Sequence, residues 1–308
     1  MHSTKRLSAP LIDELIQEIL RINKLQSNFL ADSVKALSQS DTQVFIQYLN
    51  YCLDQQLTLG YLAECYDLIV KDTFTQQLYF KRHGHYKYSS YAEVESLVYR
   101  NEEYMSMYMY GLAITTFLWS NHAQMKHFFK EMLPKTQSGR YLEIGPGHGF
   151  HMMEAMQSSQ YEEFLGVDIS PTSVFLTQKI LSSRYFGQFE NYSIKECDFL
   201  AWEPNDQYDA VVMGEVLEHV EQPQKFLKKI AALTHNTSHI HVTTCINSPA
   251  IDHIYLFGHA QQIADIVQAS GLYIKHQLLI PYQSTTLAQS EQDKLPINIA
   301  LILGKVDD

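Results

Sequence analysis

The chain has 308 residues, 45% of them hydrophobic, with 34 acidic against 23 basic side chains and a formal net charge of −11. The length allows one catalytic domain plus an accessory one, and the acidic balance without any dense Lys/Arg cluster argues against a nucleic-acid partner, which needs a cationic footprint. No apolar run approaches membrane-spanning length, and Cys52, Cys65, Cys197 and Cys245 are scattered without C-x-x-C spacing, which suggests neither a disulfide framework nor a zinc knuckle.

Met1 to Pro10 is polar and lacks the apolar centre of a signal peptide, so a cytoplasmic location is expected. Residues 1–134 then show helical spacing. Leu11, Ile12, Leu15, Ile19 and Leu20 recur at helical intervals, as do Val44, Phe45, Tyr48, Leu49 and Cys52. A further helix is predicted from Leu59 to about Phe80, ended by the His83-Gly84-His85 turn. Ser90-Tyr-Ala-Glu93 has the form of a capping box that opens a helix through Val98. Others are predicted over Glu103–Trp119 and Ala123–Met132, with Asn121 as N-cap of the last and Pro134 as its stop. Tyrosines crowd this region: Tyr79, Tyr86, Tyr88, Tyr91, Tyr99, Tyr104, Tyr108 and Tyr110.

At Tyr141-Leu-Glu-Ile-Gly-Pro-Gly-His-Gly149 the pattern changes to a short apolar run, a glycine-rich turn and a helix beginning at Phe150. Gly145, Gly147 and Gly149 let backbone approach a ligand closely. A dinucleotide fingerprint needs a glycine where Phe150 stands, and Glu143 on the strand would repel a pyrophosphate. That acid suits a cationic ligand instead. Phe164-Leu-Gly-Val-Asp168 is a second strand ending in an acid, placed where a ribose expects a carboxylate. Ser170-Pro171 opens a helix. Glu196-Cys-Asp198-Phe199 ends a third strand, and Asp209-Ala-Val-Val-Met213 is a fourth, closed by Gly214-Glu-Val-Leu-Glu-His219-Val. A helix from Pro223 to Leu233 leads to a fifth run, His239–Thr244. Leu272–Ile280 and Ile297–Leu303 are two late runs separated by the polar stretch Pro281–Pro296, which reads as a lid or a disordered loop. Strands alternating with helices give a parallel sheet with right-handed crossovers. Glu143, Asp168 and Asp198 fall near carboxyl ends of successive strands, where open α/β sheets bind ligands.

This series resembles the class I S-adenosylmethionine-dependent methyltransferases, and the string 214–220 is similar to a signature of their ubiquinone-biosynthesis branch. The resemblance covers roughly Tyr141 to Leu303. It implies an α/β Rossmann-like sheet, mostly parallel with the last strand antiparallel, over residues 135–308, and an N-terminal all-helical cap or dimerisation domain over 1–134. It implies S-adenosyl-L-methionine as cofactor, held by Glu143, Gly145, Gly147, Gly149, Asp168, Ile169, Asp198, Phe199 and Glu215. Asp198 would take the adenine amino group and Phe199 would pack on the ring. The cap would shape an acceptor pocket, with Tyr104 and Tyr108 lining it.

Methyl transfer from a sulfonium is an in-line displacement in which the protein positions the acceptor and excludes water. A base is needed only if the acceptor must lose a proton, and no metal is expected. His219 and His253 are the candidate catalytic residues. His239 and His241 share one side of a strand and mimic a metal pair, yet packing is the simpler reading. The expected reaction is methylation of a small-molecule metabolite at O, N or C. One alternative is transfer or cyclisation of the aminocarboxypropyl arm with release of methylthioadenosine. Another is a non-catalytic cofactor-binding partner, and an NAD-dependent dehydrogenase ranks below because of Phe150 and Glu143. No membrane partner is expected, and assembly as a homodimer stays open.

Overall fold

The computed structural model describes residues 10–204 and 206–306, so the expectation for the extreme N-terminus lies largely outside the described residues. The first third is helical: α1 (Pro10–Ile22), α2 (Ser27–Ala36), α3 (Gln39–Asp54), α4 (Leu59–His83), α5 (Tyr91–Val94), α6 (Glu102–Leu118) and α7 (Ser120–Met132). Local chemistry sets these boundaries. Ser38, Thr58 and Asn101 accept backbone N–H groups at the starts of α3, α4 and α6, and Gly84 ends α4 in the left-handed conformation at φ 74°.

The capping box at Ser90 and Glu93 is present, but α5 is short and passes into a π-helical turn over Glu95–Tyr99. Asn121 is not an N-cap. The helix begins at Ser120, and the Asn121 amide donates to Asn298 Oδ1 at 2.9 Å. α2 lies in a stretch for which sequence spacing predicts no distinct helix; its weaker apolar face buries only Leu30.

A seven-stranded sheet follows: β1 (Ser138–Ile144), β2 (Gln160–Asp168), β3 (Tyr192–Glu196), β4 (Tyr208–Gly214), β5 (Thr234–Ile246), β6 (Leu272–Ile280) and β7 (Ile297–Lys305), in the order β3-β2-β1-β4-β5-β7-β6. β1 to β5 pair in parallel, and β7 runs antiparallel between β5 and β6. The mostly parallel Rossmann-like arrangement with an antiparallel last strand matches the sequence expectation. Among the described residues, five α-helices connect the strands: α8 (Phe150–Ser158), α9 (Pro171–Leu181), α10 (Pro223–Ala232), α11 (Ala260–Gln268) and α12 (Leu287–Gln292). The last of these occupies the polar stretch before β7. Thr286 and Gln289 form a capping box there, so this connection is a helical turn rather than a structureless loop.

Strand alternation divides the apolar side chains between two cores. Leu142, Ile144, Val211, Met213, Ile240 and Val242 pack with α10 and α11 on one face. Tyr141, Phe164, Ala210 and Val212 join α8, α9 and the N-terminal helices on the other, in one continuous apolar cluster that reaches Ile12 and Leu15. α6 lies within this second core and buries most of its side chains from Met105 to Leu118, as a helix apolar on every side must. Phe150 joins the layers: its ring lies 5.4 Å from Tyr48 of α3 and 5.6 Å from Phe117 of α6, edge to face in both cases.

Candidate active site

The strand order reverses between β1 and β4, which opens a crevice at the carboxyl ends of the strands. A cavity of about 350 Å³ lies there, floored by the sheet and roofed by Tyr99, Tyr108, Met109, Thr116, His122 and Met125 from the helical third. The glycine turn after β1 forms part of its wall. Gly145, Gly147 and Gly149 all have positive φ, at 67°, 52° and 78°. A side chain at Gly145 would place its Cβ 2.8 Å from Val216 Cγ2, so both conformation and space require glycine.

The sequence-selected residues converge here with a few exceptions. Gly145, Gly147, Asp168, Ile169, Asp198, Phe199 and Glu215 line the cavity, as do His219, His253 and Tyr108. Gly149 sits at the start of α8, where Thr177 and Ile180 of α9 crowd it. Glu143 does not line the cavity; its carboxylate accepts the Tyr141 hydroxyl at 2.7 Å on the face of the sheet below the turn. Burial pushes its carboxyl up to about 8. Tyr104 stands one layer back, stacked on Tyr108 at 5.9 Å and donating its hydroxyl to Asp72.

Asp168 ends β2 and accepts the Ser170 amide at 2.9 Å. Burial raises its carboxyl to about 6, against the lowering effect of backbone amides from Ser170, Gly147 and Ile169. Asp198 likewise accepts the Leu200 amide at 2.8 Å. Phe199 is buried against Phe226, ring centroids 5.3 Å apart. These residues form an acidic rim with one aromatic wall.

A second polar group lies beyond β4. Glu215 has a left-handed backbone at φ 51°, uncommon for a non-glycine residue. Thr243 holds it there, its hydroxyl and carbonyl accepting the Glu215 amide at 3.0 and 3.2 Å. His219 closes the short 3-10 turn Leu217–His219, and its Nδ1 lies 3.3 Å from Asp252 Oδ2 and 3.1 Å from the Asp252 carbonyl. Tyr99 and Tyr108 donate hydroxyls to the same Asp252 carboxylate, at 3.3 and 3.2 Å. Burial pushes the hydroxyls of both tyrosines well above the usual phenol range, which keeps them as donors. His253 Nδ1 faces the Ser248 carbonyl at 2.5 Å, and its ring meets that of His219 edge to face at 4.7 Å.

Tyr99, Asp252 and Glu218 were not selected as site residues from sequence. Tyr99 is one of many tyrosines, and only the π-helical turn aims it at His219, 3.1 Å away. His239 and His241 are buried on β5, and His241 packs against Phe129 at 5.1 Å. They belong to the core rather than the cavity.

The methyltransferase-domain family model matches residues 118–277. No curated protein sequence matches the chain. Among solved structures, mitomycin 7-O-methyltransferase MmcR superposes with a TM-score of 0.53 at 12% identity, covering 80% of this chain and 70% of its own. The N-methyltransferase NodS from Bradyrhizobium japonicum WM9, solved with S-adenosyl-L-homocysteine, gives 0.47 at 12% identity over 62% of this chain and 92% of its own. The [4+2]-cyclase SpnF gives 0.48 at 12% identity over 62% and 82%. MmcR shows the same fold; the likeness of residues 214–220 to the ubiquinone branch rests on that string alone. Glycine turn, acidic rim and a family match over more than half the chain agree: the chain belongs to the methyltransferase-domain family and is a class I S-adenosylmethionine-dependent methyltransferase.

Proposed function

We propose that this enzyme methylates a small-molecule metabolite inside the cavity between sheet and helices. The observation that carries this reading is the roof: helices of the N-terminal third close over the carboxyl ends of the strands and leave about 350 Å³, a size suited to small ligands rather than to a polymer. The net charge of −11 also disfavours a nucleic-acid acceptor. The residues at the β1 and β2 ends fit S-adenosylmethionine. The turn at Gly145 and Gly147 brings bare backbone to the cavity, and Asp168 presents a buried carboxyl that nearby amides hold in place.

In this reading Asp168 takes the ribose hydroxyls, Asp198 the adenine amino group, and Phe199 one face of the base. The cofactor, when bound, supplies an activated methyl group. Tyr108 and the roof of α6 exclude water, and the residues beyond β4 face the acceptor. Glu215 stands between the two halves. Asp252 orients His219, whose Nδ1–H its carbonyl accepts, so that Nε2 carries the lone pair, 4.0 Å from Glu218 Oε1. His253 is oriented in the same way by the Ser248 carbonyl. The helical third, residues 1–134, would act as the cap of the catalytic portion, residues 135–308.

Incubation of the purified protein with S-adenosylmethionine and a panel of small hydroxylated, amine and acidic metabolites tests this reading. The expected nucleoside product is S-adenosylhomocysteine, formed only with an acceptor of low molecular mass. Methylthioadenosine would point instead to use of the aminocarboxypropyl arm, and methylation of polymeric RNA or protein alone would sink the small-molecule assignment.

A further inference from the structure

The residues beyond β4 form a cluster that methyl transfer alone does not account for. One ligand atom each from Glu218, His219 and His253 lies within 4.8 Å of the others. Glu218 also belongs to a second group, in which one ligand atom each from Glu215, Glu218 and Cys245 lies within 4.8 Å of the others. Glu218 is fully buried. Its Oε2 accepts the Thr244 hydroxyl at 2.7 Å, while its Oε1 has no hydrogen-bond partner. Glu215 Oε1 is also buried without a partner. Two carboxylate oxygens left bare beside each other are costly, because buried polar groups are almost always satisfied and like charges repel. A proton shared between the two carboxyls, or a cation placed between them, removes both penalties.

The histidines are arranged for ligation. Each directs Nδ1 to an oxygen acceptor, His219 to Asp252 and His253 to the Ser248 carbonyl. That fixes the tautomer with the proton on Nδ1 and leaves the Nε2 lone pair available, the usual support behind a metal-bound imidazole. Nε2 of His219 lies 4.0 Å from the unpartnered Glu218 oxygen, close enough for both to close on one ion with small side-chain movements. Thr244 holds the other Glu218 oxygen in the same supporting way.

We propose that Glu215, Glu218, His219 and His253 bind one divalent transition-metal ion at the floor of the cavity. Two carboxylates balance the charge of a divalent ion, and two imidazoles favour Mn²⁺, Co²⁺ or Zn²⁺ over Mg²⁺ and Ca²⁺, which prefer oxygen alone. Glu215, His219 and His253 line the cavity, so the open coordination positions face the space given to the acceptor. An ion there would hold an acceptor oxygen and stabilise its deprotonated form. That role rests on the methyltransferase reading; the binding of the ion does not.

Metal titration of the full chain tests the site without any acceptor. Protein stripped with a chelator and dialysed is titrated with MnCl₂ by electron paramagnetic resonance and with CoCl₂ by visible absorption. One ion per chain is expected, with a cobalt spectrum showing nitrogen ligation. Glu218→Gln and His253→Gln should each lower Mn²⁺ affinity by about tenfold or more, the scale on which ligand-shell changes act. S-adenosylmethionine titrations of the same samples report whether each variant is folded. If Glu218→Gln fails to fold, His253→Gln and the unsubstituted protein's cobalt spectrum decide. No ion bound, a cobalt spectrum of the hydrated ion, or equal affinity in a folded variant would overturn the site, while intact cofactor binding would leave the methyltransferase reading standing.

Discussion

Asp252 precedes His253 in the chain, yet its carboxylate serves His219, 33 residues earlier, with Oδ2 3.3 Å from His219 Nδ1. The two histidines are therefore supported separately, one by the carbonyl and carboxylate of Asp252 and one by the Ser248 carbonyl. Tyr99 and Tyr108, from the helical third, complete the shell of Asp252. Residues on three separate parts of the chain thus set the orientation of one imidazole.

Asp252→Asn should lower kcat by about tenfold to a hundredfold, the usual effect of removing a carboxylate behind a functional histidine. S-adenosylmethionine affinity should change little, because Asp252 stands on the acceptor side. Single-turnover kinetics and calorimetry separate the two. Unchanged kcat would show that His219 needs no orientation from the Asp252 carboxylate.

Asp168→Ala should weaken S-adenosylmethionine binding by about ten- to a hundredfold, in line with about 1.5–3 kcal/mol for a hydrogen bond to a charged group. Calorimetric titration measures this directly. An unaltered dissociation constant would remove Asp168 from the ribose site.

Gly145→Ala should destabilise the protein by about 1–2 kcal/mol from the left-handed backbone alone, with a further cost from the 2.8 Å approach of Cβ to Val216 Cγ2. Urea denaturation should show a lower midpoint with an unchanged slope. A wild-type midpoint would mean that the turn tolerates a side chain.

Stability should fall on the acid side. Burial lowers His239 to about 4, and its Nε2 has no partner. The folded state therefore binds fewer protons than the unfolded chain, whose imidazole titrates near about 6.5. This contribution is complete above about pH 6.5 and is lost as pH falls toward 4. It amounts to about 3 kcal/mol, at about 1.4 kcal/mol for each pH unit. His239→Gln should flatten the loss of melting temperature between pH 6.5 and 4. An unaltered slope would show that His239 is protonated at no cost.

The strands and the acidic rim were legible because both are local patterns. Asp168 ends an apolar run and Ser170-Pro171 marks the next helix, so its position can be read within a few residues. The string from Glu215 to His219 also stands out, but its partner His253 arrives through the fold, after α10 and β5. Tyr99 was hidden for a similar reason, since nothing in the spacing announces the π-helical turn that places it. Glu143 has a spacing from Gly145 that suits a ligand, and strand alternation sets its side chain beside Tyr141. Asn121 has the right chemistry for a cap, but the helix starts one residue earlier and the amide bonds to β7 instead.

Phe150 is the first residue of α8, directly after the glycine turn, and its ring is clasped by Tyr48 and Phe117. Any ligand that quiets the turn must also damp α3 and α6, helices on the far side of that ring. Amide hydrogen exchange in both should slow when S-adenosylmethionine binds, so that occupancy of one crevice is felt as stiffness across the whole N-terminal layer.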